Sequence, residues 1–165
     1  MVEAFSATSL SADKAQRYEE LSAEIASVLS GEPDETARMA TIVAMLKASF
    51  ATYFWVGFYR VDRQKPSELV IGPYQGTLGC LRILFGRGVC GAVAQSRSTL
   101  IVPDVDAFPG HIACDSQSRS EIVVPVLDPS GALIAVLDVD SDQLDAFDPI
   151  DAAGLERILA ETFAT

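Results

Sequence analysis

All three cysteines and the single histidine of this chain lie within residues 78–121, together with five of its eleven glycines. Cys80 and Cys90 are ten residues apart, and Cys114 lies 24 residues further on. A redox cycle needs one thiol that takes oxygen from a substrate as sulfenic acid and a second thiol that condenses with it to a disulfide. Glycine-bearing loops would let one sulfur reach the other. The pattern therefore favours redox chemistry at the cysteines.

Two other interpretations of the cysteines compete with this one. Free cysteines are often small buried core residues, although these three lie in polar, glycine-bearing sequence. A structural zinc site could use all three with His111, but Cys80 and Cys90 lack the two-to-four-residue spacing usual for zinc ligands. His111 itself is more typical of a loop histidine bonded to backbone than of a catalytic group.

Three carboxylates are predicted to meet at the end of a sheet. Asp138 and Asp140 follow an apolar run and are two residues apart, so they share one face of a strand, roughly 7 Å apart. Glu121 begins the partner strand. A two-residue loop at 129–130 would place Glu121 opposite Asp138, and a bulge at Gly131 would shift this pairing by one. The alternative interpretation is that these three acids are ordinary solvated residues at the ends of strands.

Acids gathered in this way repel one another, so at least one should keep its proton near neutral pH. A protonated carboxyl can give its proton to an oxygen that leaves a substrate.

The elements that must position these groups follow an α+β pattern, with a central antiparallel sheet and helices packed on it. Helices are predicted over 12–30, from about 33 and over 89–95. Strands are predicted at 53–60, 68–71, 99–102, 121–127 and 132–140. A last helix is predicted to be capped by Asp148, with Pro149 in its first helical position. Turn residues at 72–76 are predicted to close the second strand. We expect one domain over 1–165, with helices in 1–50 and the sheet, loops and last helix in 51–165.

Composition excludes several classes of function. The chain has 165 residues and a formal net charge of −11, without a basic cluster, which disfavours nucleic acid and anionic membranes as partners. No apolar run approaches the roughly 20 residues that span a bilayer. The segment Met1–Phe5 shows no secretory signal. These features predict a cytoplasmic protein.

Six blocks of sequence resemble the free methionine-(R)-sulfoxide reductases, a catalytic branch of the GAF-domain superfamily. The blocks are Trp55–Tyr59, Gly72–Gly76, Gly86–Gly91, Gly110–Asp115, Ser120–Val123 and Leu137–Ser141. The resemblance runs from about Trp55 to the last helix and implies a GAF-like fold. It also implies reduction of free L-methionine-(R)-sulfoxide to methionine.

This resemblance implies a role for each cysteine. Cys114 would be the nucleophile that takes the oxygen, and Cys80 or Cys90 would resolve its sulfenic acid as an intramolecular disulfide. Thioredoxin would then reduce that disulfide. Which of the two cysteines is the resolver stays open in the sequence.

The resemblance also assigns the remaining site residues. Glu121, Asp138 and Asp140 would bind and protonate the sulfoxide, and Trp55 and Tyr59 would wall the pocket around the substrate's methyl group and sulfur. A homodimer that needs neither a metal nor an organic cofactor is expected. The alternative function is a non-catalytic GAF-type sensor of a small molecule or of redox state.

Overall fold

A curled antiparallel sheet of six strands organises this computed structural model, which describes residues 5–165. In chain order the elements are α1 (Lys14–Val28), α2 (Glu35–Ser49), β1 (Trp55–Val61), β2 (Glu68–Gln75), β3 (Arg82–Leu84), α3 (Gly88–Ser96), β4 (Leu100–Val102), β5 (Ser120–Leu127), β6 (Leu133–Ser141) and α4 (Pro149–Phe163). The strand order is β3-β2-β1-β6-β5-β4, and every pair is antiparallel. The predicted α+β architecture is confirmed. Residues 1–4, where no secretory signal is seen, lie outside the described part.

The helices begin and end where local chemistry favours it. Asp13 and Asp34 cap α1 and α2 by accepting backbone N–H bonds in the first turn of each helix. Asp148 forms a capping box with Asp151 at the start of α4, and Pro149 takes the first helical position. In the part of the chain from residue 5 onward, no helix is both long and apolar enough to cross a membrane.

The sheet divides the interior into two apolar layers. Alternate residues of β1 point to opposite faces, so Val56 and Phe58 pack against α1, α2 and α4. Trp55 and Tyr59 point the other way, into a second cluster that includes α3. Three helices therefore fill one face, and the other face is left to α3 and the cysteine-bearing loops.

The pairing of β5 with β6 differs from the predicted register. Glu121 lies opposite Asp140, and Asp138 lies opposite Val123, so the expected pairing of Glu121 with Asp138 is wrong. The turn is longer than two residues, because the Asp128 amide bonds to the Ala132 carbonyl. The observed register differs from the expected one by two residues. An even shift keeps all three carboxylates on one face.

One local prediction about the middle of the chain is also wrong, and one strand there is absent from the predicted elements. Residues 72–75 do not close the second strand but continue it, with a register irregularity between Gly57 and Tyr59 on the neighbouring strand. The short edge strand β3 follows Cys80 and pairs with β2. Its three residues are too few to show a periodic pattern.

Candidate active site

The floor of the candidate site is a row of residues across three neighbouring strands. Glu121 on β5 lies opposite Asp140 on β6, and Asp140 lies opposite Trp55 on β1. Directly opposed residues of antiparallel strands have side chains about 5 Å apart on the same face. The strand register, rather than a loop, therefore fixes two carboxyls beside an indole ring.

A second row lies one pleat further along the sheet. Asp138 is opposite Gly57, where a β-carbon would come within 2.7 Å of the Trp55 ring. The missing side chain at Gly57 lets Trp55 fold over the strand and stack on Tyr59 and Tyr74, with ring centroids 5.8 and 5.3 Å apart. Trp55, Tyr59 and Tyr74 thus form an aromatic wall whose stacking depends on the absence of a side chain at Gly57.

Cys80 and Cys114 form a disulfide that joins two loops over this floor, with their Cα atoms 5.5 Å apart. Cys114 is exposed and Cys80 is half-buried. The Trp55 indole donates to the Thr77 carbonyl at 2.9 Å, and the Thr77 hydroxyl bonds to Asp115 in the opposite loop. These contacts hold the two loops side by side next to the disulfide.

Gly79 allows the Cys80 loop to lie directly on the aromatic wall. A β-carbon at this position would meet Ile71 at 2.8 Å, and Trp55 and the Tyr59 hydroxyl at 3.0 Å each. The Tyr59 hydroxyl also lies near the backbone amide of Cys80. Burial raises the pKa of Tyr59, so its hydroxyl stays protonated.

Cys90 lies in the first turn of α3, within the helix predicted over 89–95, and its side chain is buried. One ligand atom from each of Cys90, Glu121 and Asp138 lies within 4.8 Å of the others. Burial, followed by the charges of Asp138 and Glu121, raises the pKa of the Cys90 thiol well above its ordinary value. This cysteine is therefore held as a thiol at neutral pH, unlike a nucleophile.

All three carboxyls have pKa values well above their ordinary range, and burial is the largest cause in each case. The next cause is a neighbouring carboxyl: Asp140 for Glu121, Glu121 for Asp138, and Asp138 for Asp140. The Ser118 hydroxyl opposes the effect at Asp140 by donating a hydrogen bond at 2.7 Å. The predicted retention of protons agrees with this arrangement.

Asp138 carries the one buried side-chain oxygen or nitrogen in residues 5–165 without a hydrogen-bond partner, its Oδ1. An unpaired oxygen beside a thiol and a second carboxyl could accept a ligand's proton or help to hold a divalent cation. Cation binding would require Cys90 and both acids to lose protons that burial makes them keep. The donor set therefore favours a protonated ligand over a resident metal.

His111 and Ser118 complete the polar lining. The His111 Nε2 atom lies 3.5 Å from a Glu121 carboxyl oxygen, instead of bonding to backbone as its loop context favoured. Burial lowers the pKa of His111 and raises that of Glu121, so near neutral pH the contact joins two uncharged groups. Sequence reasoning assigned no role to Ser118, because nothing in the sequence shows that a loop serine reaches Asp140.

These groups line one pocket of about 510 Å³, its open mouth included. It contains every predicted site residue except Cys80: Trp55, Tyr59, Cys90, Cys114, Glu121, Asp138 and Asp140. Ile83, Val89 and Ile112 add apolar wall. Cys114 therefore faces the pocket, whereas Cys80 reaches it only through the disulfide.

The raised pKa values predict how stability depends on pH. Between about pH 4, where free carboxyls titrate, and the higher folded pKa values, the folded protein keeps protons that the unfolded chain has lost. These acids therefore stabilise the fold fully only below about pH 4, and that contribution is lost as pH rises. We expect Asp138→Asn in the oxidised protein to flatten this decline. Urea unfolding of both proteins from about pH 5 to pH 8 tests this, and parallel curves would contradict it.

Comparisons with known proteins identify the domain family to which this fold belongs. The GAF domain family model matches residues 34–165. A curated relative from Dictyostelium discoideum, GAF domain-containing protein A, is 53% identical over 146 residues, covering 88% of this chain and 90% of its own. The curled sheet with helices on its faces is thus a GAF domain, as predicted.

Two further relatives carry an enzyme's name. The free methionine-R-sulfoxide reductase of Escherichia coli is 36% identical over 149 residues, which is 90% of this chain and 88% of that protein. The X-ray structure of free methionine-R-sulfoxide reductase from Neisseria meningitidis in complex with its substrate matches with a TM-score of 0.90 and 46% identity, covering 98% of this chain and 93% of that one. The chain belongs to the free methionine-R-sulfoxide reductase family, a family of enzymes within the GAF domains.

Proposed function

We propose that this protein reduces free L-methionine-(R)-sulfoxide to methionine. The observation that carries the proposal is a disulfide at the mouth of a pocket whose floor holds three acids with raised pKa values, Glu121 and Asp138 buried and Asp140 half-buried. A thiol supplies the electrons for sulfoxide reduction, and an acid supplies the proton that the oxygen needs. The similarity to a substrate-bound reductase supports the same substrate.

In the first step, the Cys114 thiolate attacks the sulfoxide sulfur. A carboxyl among Glu121, Asp138 and Asp140 gives its proton to the oxygen, which weakens the bond between sulfur and oxygen. Oxygen passes to Cys114 as sulfenic acid, and methionine leaves with its sulfur reduced by two electrons. Trp55 and Tyr59 border the side of the pocket on which the substrate's methyl group would lie.

In the second step, the Cys80 thiol attacks the Cys114 sulfur. The new bond is the disulfide found in the structure, and the sulfenic oxygen leaves as water with the Cys80 proton. Cys90 is less suited to this step, because it is buried and its thiol is held protonated. Cys80 is therefore the resolving cysteine in this proposal.

The cycle closes when thioredoxin reduces the disulfide to two thiols and leaves oxidised. We further propose that the whole chain, 1–165, acts as one domain and as a homodimer in the cytoplasm. Light scattering of the purified protein tests the dimer.

Consumption of the free (R)-epimer with dithiothreitol or thioredoxin is the primary test, with the (S)-epimer and an oxidised peptide run beside it. We expect methionine to form from the free (R)-epimer only. A chelator should leave this turnover unchanged, because no step needs a metal. Saturable binding of methionine without sulfoxide consumption would instead indicate a sensor and would overturn the proposal.

A further inference from the structure

Two exposed leucines flank one cysteine of the disulfide in the chain. Leu78 and Leu81 are 83% and 74% exposed and lie within two residues of Cys80. Leu84 is also exposed, at 57%, but its side chain points to the opposite face of β3 from Ile83, which lines the pocket. We call Leu78 and Leu81 the leucine patch.

We propose that the leucine patch is the docking surface for the protein dithiol that reduces this enzyme, and that the incoming thiolate attacks Cys114. The inference rests on the proposed function, since each turnover leaves a disulfide that an external dithiol must reduce. It adds where that partner binds and which sulfur it attacks.

The disulfide at the edge of the patch indicates which kind of partner binds there. A small thiol needs no surface, but a protein dithiol must press its own surface around the sulfur that it attacks. Leu78 and Leu81 offer up to a few hundred Å² of apolar surface beside the disulfide, and exposed apolar surface of this kind often marks a binding site. Brief redox encounters bury less than about 1,200 Å² in total, so a patch of this size suits a partner that must leave each cycle.

Exposure decides which sulfur is attacked. Cys114 is exposed, whereas Cys80 is half-buried and directly follows Gly79, whose backbone lies against Trp55 and Tyr59. The reductant's thiolate bonds to the Cys114 sulfur, the bond between Cys114 and Cys80 breaks, and Cys80 leaves as a thiolate that takes a proton. The reductant's second thiol then attacks its own first sulfur. Cys114 is released reduced, and the reductant departs as a disulfide.

The attack site is tested by trapping. A thioredoxin whose second active-site cysteine is replaced by serine cannot complete the exchange, so it stays joined to the sulfur that it attacked. Incubated with the oxidised enzyme and digested without reductant, it should yield a mixed disulfide at Cys114 by peptide mass spectrometry. A mixed disulfide at Cys80 would overturn the assignment.

The docking surface is tested with Leu81→Ser and Leu81→Asp, two changes at the patch residue that does not line the pocket. Leu144→Ser is the matched control, because Leu144 is also exposed, at 50%, and does not line the pocket either. We expect each patch variant to raise the KM for thioredoxin by about tenfold, the effect of losing a strong interface residue. Turnover with dithiothreitol and the KM for sulfoxide should not change.

Three outcomes would overturn the docking proposal. One is an unchanged KM for thioredoxin in both patch variants, and another is an equal rise in the Leu144 control. The third is a change of oligomeric state on light scattering, which would make the patch a contact between copies of the chain. Failure of the wild-type protein to consume sulfoxide with dithiothreitol would instead count against the proposed function itself.

Discussion

Replacing Cys114 by serine is expected to lower turnover of methionine-(R)-sulfoxide by at least about 10⁴-fold. A hydroxyl is a far weaker nucleophile than a thiolate at neutral pH, so the oxygen transfer itself is lost. Binding should persist, because the acids and the aromatic wall remain. Single-turnover formation of methionine, followed by chromatography, measures the effect without any contribution from the reductant.

Cys90→Ser is the control for this experiment. Cys90 is buried against Asp138 and Glu121 and is not part of the disulfide, so its replacement should leave most of the single-turnover rate. Cys80→Ser should also form methionine once, but then stop as the sulfenic acid. Equal turnover by wild type and Cys114→Ser would show that another group takes the oxygen.

Replacing Asp140 by asparagine is expected to slow reduction by about 10² to 10⁴-fold, the usual contribution of a general acid. The change keeps the size of the side chain and an oxygen that can accept the Ser118 hydroxyl, but removes the transferable proton. The free energy of unfolding should change little at neutral pH, or increase, because a half-buried acid in a repelling cluster is removed. The rate constant and urea unfolding are measured on the same preparations.

Asp142→Asn is the matched control, since Asp142 is exposed two residues further along the chain. It should alter neither the rate nor the stability. Parallel losses of activity and stability in Asp140→Asn would make Asp140 a structural residue rather than an acid catalyst. Glu121→Gln should behave like Asp140→Asn, because Glu121 lies directly opposite it.

Much of this arrangement follows from local sequence. The period of two in β1 separates Trp55 and Tyr59 from Val56 and Phe58, and the same period keeps Asp138 and Asp140 together. For that reason the carboxylate face is correct even though the predicted pairing is wrong. A strand pattern fixes the face of each residue, whereas the turn fixes the register.

The parts that sequence could not supply depend on contacts between distant segments. The turn at Asp128–Ala132 takes more residues than the sequence suggests, because Asp128 bonds back to its own loop. The burial of Cys90 depends on how α3 packs on β5 and β6. The sequence predicts a helix over 89–95, but nothing in it shows that this helix points Cys90 toward Glu121 and Asp138.

The choice of resolving cysteine is a further case. Cys80 and Cys90 are equally plausible in sequence, since both have glycine neighbours. The distinction arises from Gly79, which lets the Cys80 loop cross the aromatic wall to reach Cys114. Such a close approach between segments more than 30 residues apart has no local signature.

The central claim, that Cys114 accepts the oxygen, is tested most directly by trapping the sulfenic acid. Reduced Cys80→Ser is mixed with one equivalent of methionine-(R)-sulfoxide and then with dimedone, which adds to sulfenic acids. We predict one methionine formed per enzyme and a dimedone adduct on Cys114. Methionine formed with the adduct on Cys90, or with Cys114 still a free thiol, would contradict the account.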